Sequence, residues 1–149
     1  MEGVAQRAIA LLRQAMGAGL LLLVGLTLMQ VGLRYLLHHS IDWVEEISVV
    51  VLTWLAWVGA TLLWLQRRHP AVDLAIGALS PTGRLQLYRL FDVAAIVLGI
   101  GLAISTRGTI AMFDGIELAG LGIDSAVKYQ PVLAGGVGLA FAGAINLLR

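Results

Sequence analysis

A chain of 149 residues with 59% hydrophobic and 13% charged residues departs from a soluble domain, which carries roughly 45–50% apolar and about 25% charged residues. Its net charge of +1 offers no basic stripe for nucleic acid, and the absence of cysteine removes disulfides, thiolate metal sites and cysteine nucleophiles. With a mean hydropathy of +0.89, what remains is an integral membrane protein.

In chain order, residues 1–13 are expected to form an interfacial N-terminal helix. Val4, Ala8, Leu11 and Leu12 fall near one face, with Gln6, Arg7 and Arg13 elsewhere. The alternative is that this stretch is the start of the first span. A crossing helix needs around 20 apolar residues for a hydrocarbon core about 30 Å thick. Between Arg13 and Arg34 lie 20 uncharged residues, giving a first span at 14–33. Its apolar run is too long for a signal peptide and no small-x-small site follows before Arg34-Tyr35, so it is expected to be retained.

The second span is expected at 47–66. Pro70 can then open a short interfacial helix over 70–79, with Val72, Ala75, Ile76 and Leu79 at helical spacing. Ser80-Pro81 stops it and supplies an N-cap and first helical residue for the next element. The third span is expected at 87–108. Its charge-free core, Val93 to Thr106, is only 14 residues long. Arg89 and Arg107, about 27 Å apart along a helix, can snorkel to opposite headgroup layers. The fourth span is expected at 129–148.

The fold class is therefore all-α and integral to the membrane, with four transmembrane helices and short interfacial helices. With both termini cytoplasmic, the inside holds Arg7, Arg13, Arg67, Arg68, Arg84, Arg89 and Arg149. The outside then holds Arg34, Arg107 and Lys128, in agreement with the positive-inside rule.

Ionisable groups inside a span mark function by default, and this chain has none at mid-span. Asp92 is expected to pair with Arg89 at i, i+3, with a coupling-ion site as the alternative. His38, His39 and His69 fall in loops, so a haem-bearing bundle is excluded and a metal pair lacks a third ligand. No cofactor and no metal are expected. A self-sufficient drug exporter would need a buried carboxylate in the bundle, and the first and fourth spans carry no acid.

In the second span Trp43, Trp54, Trp57 and Trp64 fall within an arc of about 80°. Glu45, Ser48, Ala56 and Gly59 lie nearly opposite, where small residues permit close packing on a neighbouring helix. The tryptophan face is read either as lipid contact or as a ridge on which Trp54, Trp57 and Trp64 dock another membrane protein. In the fourth span Ala134, Gly138 and Ala142, and likewise Gly136, Ala140 and Ala144, repeat small residues every four positions.

The stretch from Arg34-Tyr35 through Asp42-Trp43-Val44-Glu45-Glu46 carries a family signal. An Arg-Tyr pair closing a first span, then Trp-x-Glu-Glu opening a second, resembles the small membrane subunit of tripartite ATP-independent periplasmic (TRAP) transporters, the DctQ-like family. Trp54, Gly59-Ala60, His69 and Asp73 continue the match, and Tyr129 and Pro131 add a looser one. Val127-Lys128 stand where the family often has a tryptophan.

The resemblance implies a multi-pass protein of the bacterial inner membrane. It implies as partners a large membrane subunit that moves sodium and substrate by an elevator mechanism, and a periplasmic substrate-binding protein. The small subunit would enlarge the static scaffold and help seat the binding protein, for uptake of an organic acid. Arg34 could meet Glu45 and Glu46 across the first hairpin, or all three could be solvated separately. Asp42, Asp114, Glu117 and Asp124 could steer a basic patch on the binding protein, or be solvated loop charges. The competing functions are a self-sufficient homo-oligomeric transporter and a membrane anchor subunit of another complex.

Overall fold

The structure, a computed structural model, describes residues 2–36, 38, 41–67 and 80–148. Four long helices account for most of them: α1 (Glu2–Leu36), α2 (Asp42–Leu65), α3 (Pro81–Phe113) and α4 (Gln130–Leu147). A 3₁₀ turn, Ser125–Lys128, leads into α4. All four helices are long and apolar enough to cross a membrane, where a helix is stable because it satisfies its own backbone groups.

The N-terminal segment is not a separate interfacial helix. It is the first part of α1, which runs without a break for 35 residues, about 52 Å. No proline interrupts it, and no glycine falls between Gly3, in its first turn, and Gly17. The third helix is also longer than expected. Ser80 Oγ accepts from the Gly83 N–H at 3.3 Å and Pro81 occupies the first turn, so the helix starts where the cap places it. It then continues past Arg107 to Phe113. The expected interfacial helix at 70–79, with His39, Arg68, His69 and Asp73, lies outside the described residues.

Small residues set the packing order. On one side of α2, a Cβ on Gly59 would stand 2.8 Å from Met16 Cε of α1, and one on Gly19 would stand 3.0 Å from Leu55. The other side meets α4, where Trp57 lies over Gly135 and Thr61 beside Gly138. The opposite face of α4 meets α3 at backbone contact. A Cβ on Gly99 would be 2.5 Å from the Gly136 carbonyl oxygen, and one on Gly143 would be 2.8 Å from the Asp92 carbonyl. Lipid supplies no hydrophobic drive between helices, so close approach and dispersion at such crossings carry association. The spatial order is thus α1, α2, α4, α3, with α4 innermost and α1 touching chiefly α2. Two faces of α4 are packed on helices and the rest, with Val137 and Phe141, is exposed to lipid, so α4 is apolar all round.

Between α3 and α4 the chain folds into a tight loop. Gly115 and Gly122 adopt positive φ of +80° and +62°, a region that costs other residues a Cβ clash. The Leu118 N–H donates to Ile123 O and the Gly122 N–H to Leu118 O, both at 2.8 Å. Asp124 closes the loop, accepting from the Gly115 N–H at 2.9 Å and the Ala126 N–H at 2.8 Å. The rings of Phe113 and Tyr129 pack with centroids 5.0 Å apart, joining the end of α3 to the start of α4.

Candidate functional site

Polar chemistry concentrates where α2 and α4 end beside the first half of α3. Each helix leaves its last carbonyls without intrahelical donors and carries a partial negative charge there. Because α2 and α4 run parallel, two such ends meet. The chain caps them reciprocally. Asn146 Nδ2 in α4 donates to the Trp64 carbonyl of α2 at 2.7 Å, and Arg67 Nη2 donates to the Asn146 carbonyl at 2.6 Å.

Asp92 of α3 completes the cluster. Its Oδ2 lies 3.1 Å from Arg67 Nη2, and its Oδ1 accepts from Trp64 Nε1 at 3.2 Å. The expected Arg89–Asp92 pair is not formed. Arg89 is exposed on the outer side of α3, whereas Asp92 is only 4% exposed and faces inward. Three residues on a helix leave the two side chains about 60° apart, and the edge between the exposed and the packed face of α3 falls between them.

Arg67 reaches Asp92 because its backbone turns back just past α2 at φ +51°. A non-glycine residue held in the left-handed region stores roughly 1–2 kcal/mol of strain, which the contacts around it must offset. Those contacts include Tyr88, whose ring centroid lies 5.0 Å from the Arg67 guanidinium carbon.

With each Asp92 oxygen already paired, the cluster acts as a latch between three helices. Asn146 Oδ1 is the one buried side-chain polar atom among the described residues with no hydrogen-bond partner. No group of three His, Asp or Glu residues suitable for a metal occurs among them either.

The tryptophan face divides in two. Trp57 and Trp64 are half-buried in contacts within the chain, Trp57 on Gly135 and Trp64 on Asp92. Trp43 and Trp54 are exposed. The small face opposite, with Gly59, receives α1. At the other end of the molecule Arg34, Tyr35 and Glu45 stand exposed. Glu46 is half-buried and turns to the α3–α4 loop, accepting from the Gly120 N–H at 3.2 Å and the Leu121 N–H at 3.0 Å. This ties the start of α2 to the loop.

Asp114 and Glu117 are exposed. Asp124 is committed to the loop backbone, and the two N–H donors hold its carboxyl below the usual carboxylate range. The side chain of Asp42 lies outside the described residues.

Sequence reasoning missed Arg67 and Asn146. An asparagine in an otherwise apolar last span, opposite the one acid inside the third, was the available signal.

Residues 23–149 match the family described as tripartite ATP-independent periplasmic transporters, DctQ component. The chain belongs to that family. It is also 32% identical over 72 residues to a Haemophilus influenzae protein whose assigned name is that of a TRAP transporter small permease. That stretch covers 48% of this chain and 45% of the relative's own length. Membership of the DctQ component family and four spanning helices make the chain a multi-pass membrane protein of a transport system. In this member the Trp-x-Glu-Glu stretch opens α2, and its second glutamate is the one that binds the loop.

Proposed function

We propose that the chain is the small, non-catalytic membrane subunit of a TRAP-type secondary transporter in a bacterial inner membrane, with both termini cytoplasmic. It enlarges the static scaffold around a large elevator subunit and helps seat a periplasmic substrate-binding protein for sodium-coupled uptake of an organic acid. The observation that carries this reading is the family match over residues 23–149. The polar cluster supports it. Asp92, the buried acid of the described chain, is paired on both oxygens and bound to its neighbours, as suits a rigid part rather than a moving ion site.

In this orientation the loop that Glu46 and Asp124 hold faces the periplasm and presents Asp114 and Glu117. Arg34, Tyr35, Trp43 and Glu45 frame the same end. Of Trp54, Trp57 and Trp64, Trp54 is the exposed one and is open to the large subunit.

The test is reconstitution into proteoliposomes. Sodium-dependent uptake should require this chain, the large subunit and the binding protein together. Uptake by this chain alone would overturn the proposal.

A further inference from the structure

A groove lies between α3 and α4 on the membrane-facing side. It is lined by Gly99, Ala103, Ile104, Val137 and Ala140, with Arg107 also in its wall. Its volume, about 450 Å³, falls within the range of small-molecule sites. Small residues on both helices make the floor, because α3 and α4 approach to backbone contact there. Exposed Ile104 and Val137 rise at its edges.

Arg107 does not stand at the end of its helix. It lies 15 residues beyond Asp92, about 22 Å along the axis, and about 9 Å short of Phe113. With the Trp64–Arg67–Asp92 cluster taken as one headgroup boundary, a rise of about 22 Å puts Arg107 about 8 Å short of the far side of a core about 30 Å thick. Among the described residues it has no ion-pair partner, and it is exposed. An arginine at that depth is costly unless an anion meets it or its stem carries the charge to the headgroups.

We infer that this groove binds one anionic phospholipid, with its phosphate on Arg107 and an acyl chain along Ile104, Val137 and the Gly99–Ala140 floor. Two features select a lipid. A single cation caps an otherwise apolar trough, which matches one charged head and one hydrocarbon tail. The trough also continues inward from Arg107 for eight residues, about 12 Å, into hydrocarbon that acyl chains already fill. An acidic partner helix is the rival occupant.

The test uses the full chain reconstituted in an equimolar mixture of phosphatidylglycerol and phosphatidylcholine, then extracted and weighed intact by native mass spectrometry. Wild type should retain phosphatidylglycerol about tenfold over phosphatidylcholine, as expected for one charge-assisted contact. Arg107→Gln should bring that ratio close to one. Ala103→Leu, which fills the trough and leaves the charge, should lower retention of both lipids. A chain that retains the two lipids equally would assign the groove to a protein helix and overturn the inference. An unchanged ratio in Arg107→Gln would overturn it too, by placing the selectivity on other cations. So would full competition by millimolar inorganic phosphate, since the acyl trough would then contribute nothing.

Discussion

Removing Arg67 should destabilise the helix bundle more than neutralising Asp92, because the two partners are unequally buried. The Asp92 side chain is 5% exposed and the Arg67 side chain 31%. In Arg67→Gln the carboxylate stays buried and loses its counter-charge, keeping only the Trp64 N–H and nearby Asn146. The Asn146 carbonyl, at 2.6 Å from the guanidinium, loses its donor as well. Breaking a buried pair from one side costs about 3–5 kcal/mol. Since Arg67 is nearly a third exposed, screening brings the expected loss to the lower end, about 3 kcal/mol. In Asp92→Asn the arginine turns toward solvent and the amide oxygen can still accept one bond, so the loss should be about 1 kcal/mol.

The double variant should fall well short of the sum, because the buried uncompensated charge is gone. The measurement is SDS-driven unfolding in mixed micelles, followed by tryptophan fluorescence, for the two single variants and the double. Equal losses in the single variants, or strict additivity in the double, would refute the claim that Asp92 is the desolvated partner and Arg67 its counter-charge.

Three further outcomes follow from the packing and the loop. Gly99→Ala should separate α3 from α4 and cost about 1–3 kcal/mol, because its Cβ would stand 2.5 Å from the Gly136 carbonyl oxygen. The loss should appear as an earlier midpoint of SDS-driven unfolding, and an unchanged midpoint would contradict the contact. Glu46→Gln removes a half-exposed charge-assisted acceptor, worth about 1 kcal/mol, so the Gly120 and Leu121 amides should exchange about fivefold faster. Those of Gly115 and Ala126, held by Asp124, should be unaffected.

Asp124 also sets a pH dependence. Its folded pKa is depressed, so protection of the Gly115 and Ala126 amides is complete above the ordinary carboxylate value and is lost as pH falls through the lower folded one. Asp124→Asn should show no such acid step in amide exchange, and a step that persisted would assign it to another carboxylate.

The glutamates of the Trp-x-Glu-Glu stretch show how far one-dimensional reading goes. Their place at the start of α2 is a local fact, fixed by where the charge-free run begins. The loop backbone that Glu46 binds lies 74 residues onward at Gly120, and no spacing rule reaches that far. Asp92 gives the sharper case. Its i, i+3 neighbour Arg89 was the natural partner by sequence, but the helix face on which each sits depends on which side of α3 meets α4.

What the sequence determined by itself was the class of fold and its local punctuation. Three charge-free runs of spanning length, and a fourth of 14 residues completed by its arginine flanks, are helices in a bilayer, where every backbone group must be satisfied internally, and Ser80-Pro81 marks the start of α3 by cap chemistry alone. The tertiary structure decided the helix order α1, α2, α4, α3, the inward turn of Asp92, and its pairing with an arginine 25 residues away. The physical reason is that hydropathy is nearly isotropic around these helices, α4 above all. It fixes depth in the membrane and leaves rotation to be settled by where glycine lets two backbones touch.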